Sequence, residues 1–194
     1  MMGATRAAIR ALIVAAIGLA PLSAAGAAEL LGVALPDISV VDGMQMRLNG
    51  IGLRTWSIFK IPIYVAGLYL ERPSGDENSI LRSPQRKLLR MRFLHDVDAK
   101  DARQAWQDGL DQNCTAQCSL DPAAIRQFLA AVPSMHKGDE STMLFTATGM
   151  TATLNGRSLG TVPDPNFASA LLATFIGAVP PTPQFKRQLL GSRE

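Results

Sequence analysis

The chain is poor in the residues from which metal and redox sites are built: among its 194 residues are two cysteines and two histidines. A zinc site would have to combine Cys114 and Cys118 with His95 and His136, and their spacing matches no usual ligand pattern. Neither a metal nor another cofactor is expected. An excess of one charge is missing as well. Without Arg6 and Arg10, which belong to a leader described next, the 19 basic residues become 17 against 16 acidic ones. A chain so close to neutral gives no electrostatic case for nucleic acid or for a strongly anionic membrane surface. Stable membrane insertion of the mature chain is not expected either, because the apolar run Ala11 to Ala24 is too short and too rich in alanine for a convincing span.

That run reads instead as the core of a secretory signal peptide over residues 1–27. Arg6 and Arg10 form its basic start, and Ala25-Gly26-Ala27 supplies the small residues of a cleavage site. Cleavage after Ala27 or Ala28 leaves residues 28–194 as one domain with a sizeable core, in the periplasm or outside the cell. In such an oxidising compartment Cys114 and Cys118 are expected to form a disulfide. Positions i and i+4 of a regular helix bridge poorly, so the bond should staple a turn between two helices. Its short loop limits the stabilisation to about 2 kcal/mol.

The rest of the chain is organised around Asn49 to Leu70, NGIGLRTWSIFKIPIYVAGLYL. Strand alternation places Gly50, Gly52, Arg54, Trp56 and Ile58 on one face. An arginine among large apolar side chains needs a partner, since its guanidinium cannot lose its proton and is costly to bury alone. That partner is either a carboxylate of the protein or an anionic ligand. The glycines before Arg54 allow something to approach the backbone closely beside it. Ile61 to Leu70 is apolar on both parities, as a strand covered on both faces would be, and Pro62 implies a bulge or strand entry.

Around this stretch the pattern predicts strands at Ile38 to Val41 and Met44 to Leu48, with Asn49-Gly50 as a turn or a bulge. A short helix is expected over Asn78 to Arg82. Lys87 to His95 reads as a strand, and its Arg90 and Arg92, with Arg82 and Arg86, read as a solvated edge protected by charge rather than an anion-binding patch. Asp98 to Asn113 is a capped helix with Ala102, Ala105, Trp106, Gly109, Leu110 and Asn113 inward. Its small residues suit close packing on a sheet. Trp106 and Asn113 either reach one side of a cavity or serve as core filler and helix-end cap. Asp121-Pro122 starts a further helix. Strands follow at Thr142 to Thr148, Thr151 to Leu154 and Ser158 to Val162, then a buried helix Asn166 to Ile176 and a last one over Gln184 to Leu190. Strands first and helices grouped afterwards indicate an α+β domain with an antiparallel sheet.

The segments GIGLRTWSIFKIPIYVAGLYLE, DARQAWQDGLDQN, ATGMTATLNGRSLGTV and NFASALLATFIGAVPPTPQFKRQLLG, in that order, resemble the chalcone isomerase-like superfamily, and specifically its bacterial secreted branch. The resemblance implies an open-faced β-sandwich, a large antiparallel sheet with helices layered on one face. It also implies either closure of a chalcone-type enone to a flavanone or fatty-acid binding in the same cleft, with Arg54 holding the anion. Tyr64 stands at the place of the enzymes' threonine and Trp106 near that of their tyrosine, while Asn113 and Thr182 match further ligand contacts. Trp106 lacks the hydroxyl that would order a water, because an indole nitrogen only donates; Tyr64 could supply one from another wall. The leading expectation is a binding protein for a small amphipathic anion, with Arg54, Tyr64, Trp106, Asn113 and Thr182 around the ligand. An isomerase using Arg54 and Tyr64, or a structural or partner-binding protein with a closed cleft, are the alternatives.

Overall fold

The computed structural model describes residues 26–114 and 118–192. The expected signal peptide lies almost wholly outside the described residues, and the cleavage point after Ala27 or Ala28 falls at the start of the first strand. That strand, β1 (Ala27–Leu30), forms a hairpin with β2 (Val33–Pro36). Seven further strands pair antiparallel in chain order: β3 (Ile38–Val41), β4 (Met44–Trp56), β5 (Ile61–Leu70), β6 (Lys87–Phe93), β7 (Glu140–Thr146), β8 (Gly149–Leu154) and β9 (Arg157–Val162). Helix α1 (Glu77–Arg82) lies between β5 and β6, α2 (Ala99–Asn113) and α3 (Pro122–Ala131) between β6 and β7, and α4 (Pro165–Ile176) and α5 (Pro183–Leu189) follow the sheet. This is the α+β architecture the pattern predicts, with the helices on one face. Each helix start is fixed by a side chain at its N-cap: Asp98, Asp121 and Asp164 accept from backbone N–H groups of α2, α3 and α4, and Pro122 and Pro165 occupy the first helical turns.

β4 runs unbroken past Asn49, so Asn49-Gly50 is a bulge and not a turn. The extra residue changes which face the strand presents. Before it, Met46 and Leu48 pack on the outer face with Tyr69 and Leu88. After it, Gly50 and Gly52 lie under α5, where a Cβ on Gly50 would sit 2.0 Å from the Gln188 carbonyl oxygen and 2.6 Å from that of Leu189. The close approach expected beside Arg54 is therefore made by a helix of the protein itself. Asn49 locks the contact, donating to the Leu189 carbonyl at 2.9 Å and accepting from the Ser74 N–H at 2.8 Å.

β5 is covered on both faces, as its composition requires. Ala66, Leu68 and Leu70 belong to the main core under the helices, and Tyr69 to the outer cluster. Leu35 of β2 and Leu48 of β4 close over Gly67 on that outer side. The helical core is dominated by α4, in which Phe167, Leu171, Leu172, Phe175 and Ile176 are all buried. Of the small residues of α2, Gly109 serves this helix rather than the sheet, since a Cβ on it would lie 3.3 Å from Thr174.

β6 corrects the expectation of a charged edge, since it pairs with both β5 and β7 and is the middle strand of the seven. Arg90 lies flat on the outer face, its guanidinium 5.8 Å from the Tyr69 ring centroid and its Nε 3.7 Å from Glu140 Oε1. Lys87 is buried and donates to the Ser83 carbonyl at 2.6 Å. Among the described residues a two-stranded hairpin covers the outer face, so a long side chain such as Arg90 can run along it to water from a central strand. Cys114 and Cys118 are bonded to each other, Cys114 capping the C-terminus of α2, and the bridge joins the α2–α3 turn as expected. With both thiols used, the zinc alternative loses half of its ligands. Among the described residues, no helix is long and apolar enough to cross a membrane.

Candidate functional site

Between the sheet and helices α2 and α3 lies a cleft of about 640 Å³, within the usual range for small-ligand sites, roughly 300–1,000 Å³. Its walls are largely apolar. Strands contribute Met91, Phe93, Met143 and Met150, and helices contribute Trp106 and Phe128. Trp106 is held edge-on between Phe128 and Phe175, with ring centroids 5.4 and 5.3 Å away. Thioether side chains adapt to irregular or flexible apolar partners, and three of them on adjacent strands suit an alkyl or mixed guest.

One end of this apolar surface carries Arg54 and Tyr64, and strand register explains why they meet. They are direct cross-strand partners between β4 and β5, and the next pair is Thr55 with Pro62, so Ile63 is passed over. This second bulge, at the proline that the sequence marked, turns the end of the hairpin without breaking it. Arg54 lies on the same post-bulge face as Gly50 and Gly52, toward the helices. Tyr64 packs edge-on against Phe93 at 5.5 Å and against Phe185 of α5 at 6.0 Å. The helix that closes over the two glycines thus also fixes the tyrosine.

The electrostatics of the pair are simple. Ion pairs among the described residues join Arg90 to Glu140, His136 to Asp96 and Lys186 to Glu77; Arg54 takes part in none of them. Its Nη1 donates to the Thr55 carbonyl, one of the five N–H donors of the group. The Tyr64 hydroxyl has no hydrogen-bond partner among the described residues, and desolvation pushes its pKa up to about 12 despite the opposing pull of Arg54. At neutral pH the pair is therefore a fixed cation beside a neutral O–H donor. Such a pair can hold a carboxylate or phenolate through charge-assisted hydrogen bonds. Four exposed carboxylates also line the cleft: Asp96 accepts from the Lys137 N–H, Asp98 caps α2, Asp108 accepts from Gln104, and Asp101 lies in the first turn of α2.

The structure brings together three of the five expected ligand contacts. Arg54, Tyr64 and Trp106 line the cleft, whereas Asn113 and Thr182 do not. Asn113 donates to the Gly109 and Val179 carbonyls and accepts from the Val179 N–H, tying the end of α2 to the segment after α4. Thr182 is the N-cap of α5, accepting from the Phe185 N–H at 3.1 Å. Both place the scaffold of the site. The methionines of the lining went unmarked in the sequence, although Met91 shares the inward parity of Leu89 and Phe93.

Residues 27–191 match the family model described as chalcone isomerase-like. The chain belongs to the chalcone isomerase-like family. A solved member of this fold is the fatty-acid binding protein of Arabidopsis thaliana, which superposes with a TM-score of 0.71 over 86% of this chain and 96% of that one, at 15% identity. That likeness establishes the shared fold. No curated protein matches the chain by sequence.

Proposed function

We propose that this chalcone isomerase-like protein is a secreted or periplasmic carrier that binds a small amphipathic anion of the fatty-acid type. Arg54 clamps the anionic head, Tyr64 donates a second hydrogen bond, and the surface lined by Met91, Met143, Met150 and Trp106 takes the apolar tail. The address rests on the signal peptide read from residues 1–27, and membership of a bacterial secreted branch on the resemblance of the four sequence segments. The observation that carries the proposal is a guanidinium on the wall of an apolar cleft with no carboxylate among the described residues paired to it. A permanent cation so placed is stabilised by an anion arriving from outside. The described fatty-acid binding by the plant protein of the same fold supports the ligand class.

An isomerase reading draws on the same two residues but has less support. Enone closure needs a water ordered at the developing enolate; Trp106 lacks the hydroxyl for this, so the task would fall to Tyr64 alone. A closed, purely structural cleft fits poorly with the open volume and with an arginine that has no ion-pair partner among the described residues. The test is native mass spectrometry of protein purified from its own compartment, with Arg54→Ala beside it. A co-purified anionic lipid that is lost in the variant is expected. Protein without such a ligand, unable to take up added long-chain carboxylate, would overturn the proposal.

A further inference from the structure

The β4–β5 hairpin ends in an apolar tip that the cleft does not require. Ile58 is 89% exposed, Phe59 80% and Trp56 61%. The turn closes on itself: the Lys60 N–H donates to the Ser57 carbonyl at 3.1 Å and the Phe59 N–H to Ser57 Oγ at 3.2 Å. Ser57 and Lys60 adopt φ values of 64° and 52°, in the left-handed region that glycine and asparagine favour. A tight turn with such backbone is ordinarily polar at its crown. Here the crown is Ile-Phe, held away from the body by a self-contained turn, and its two most exposed side chains contribute nothing to the core.

We propose that this tip docks the protein onto a lipid bilayer, so that the cleft exchanges its ligand with the membrane surface; the exchange rests on the carrier reading above. Three observations select a bilayer as the occupant. First, the tip adjoins the cleft, whose lining includes Trp56 and Ile61 on the two strands that lead into the turn. Seating the tip in the headgroup layer sets the cleft against the source of an amphipathic guest. Second, Trp56, Ile58, Phe59 and Lys60 combine an interfacial aromatic, two side chains for the acyl layer and a cation able to reach back to phosphate. Third, the three apolar side chains offer roughly 600 Å² at most, less than the ~800 Å² each partner gives to a stable protein interface. A bilayer needs no complementary surface. With Lys60 as the one charge of the crown, docking is driven by apolar contact and persists at high salt.

The test uses phosphatidylcholine vesicles, first with Trp106→Phe, which leaves Trp56 as the sole tryptophan. Its emission is expected to shift to the blue on adding vesicles, at low and high salt alike. In Ile58→Ser/Phe59→Ser, vesicle partitioning should fall about tenfold or more. Neither residue lines the cleft, so this double variant should bind octanoate in solution as the unaltered protein does. Absence of the shift, or equal partitioning of the double variant, overturns the docking inference while leaving a carrier that binds octanoate intact. Vesicle binding by a protein that takes up no carboxylate would instead uphold docking and remove the carrier reading. A blue shift that appears without lipid and tracks protein concentration would identify a second copy of the chain as the occupant and overturn the proposal.

Discussion

The proposed anion clamp can be tested by a double cycle in which the arginine and the ligand head are altered separately and together. One axis is Arg54→Ala; the other replaces a medium-chain carboxylate by the alcohol of the same length. At about 4 Å and an effective dielectric of about 20, two unit charges attract by roughly 4 kcal/mol. Desolvation of the carboxylate offsets part of this, and hydrogen bonds to charged groups net about 1.5–3 kcal/mol. A coupling energy of about 2 kcal/mol is therefore expected, which is about 30-fold in Kd. Isothermal titration near neutral pH gives all four affinities. The unaltered protein should prefer acid over alcohol by that factor, and Arg54→Ala should lose the preference while keeping its affinity for the alcohol. Independent, uncoupled changes add to within roughly 0.5 kcal/mol. A coupling below that limit would mean that the guanidinium does not meet the ligand head, and the clamp would be refuted even if Arg54→Ala binds weakly.

Three further outcomes follow from the same geometry. Tyr64→Phe keeps the ring contacts with Phe93 and Phe185 and loses one donor to the anion, so carboxylate affinity should fall roughly 5–10-fold with Tm nearly unchanged; an unchanged affinity would remove Tyr64 from the site. Burial pushes both tyrosines, Tyr64 and Tyr69, up to about 12, above the value of about 10 in an unfolded chain. Between these values the folded chain keeps protons that the unfolded chain releases, so stability is flat below pH 10 with respect to these groups and falls as pH rises toward 12, by up to about 2–3 kcal/mol for Tyr64. Denaturant titrations across that window should show a shallower decline in Tyr64→Phe, and an identical decline would contradict the assignment. Gly50→Ala sets a Cβ against the carbonyls of Gln188 and Leu189 and should cost about 1–3 kcal/mol, lowering Tm by about 2–12 °C; an unchanged Tm would show that α5 does not bear on the strand there.

Much of the fold is legible because local signals and tertiary demand agree. Asp98, Asp121 and Asp164 start their helices where capping chemistry says they should, and the two-sided apolar run of β5 does lie between two layers. What fails to be legible depends on partners distant in sequence. The Arg90/Arg92 alternation on β6 has the pattern of an edge strand, but edge or centre is decided by which strands pair, and β7 returns from beyond α3 to cover it. Asn113 shares a helical face with Trp106, yet the segment that captures its amide lies 66 residues further on. Thr182 precedes Pro183 and Phe185, and its hydroxyl accepts from the Phe185 N–H as the cap of α5.

The site itself depends on two register shifts in one hairpin. With no bulge between Leu48 and Gly50, strand alternation would put Gly50, Gly52 and Arg54 on the face of Met46 and Leu48, away from the helices. Without the second shift, Pro62 would pair where its missing N–H interrupts the ladder. The first shift also presents two side-chain-free positions to α5, which brings Phe185 onto Tyr64. Placement of the cation and placement of the neutral donor therefore share one cause, and a change that slides β4 by a single residue removes both together.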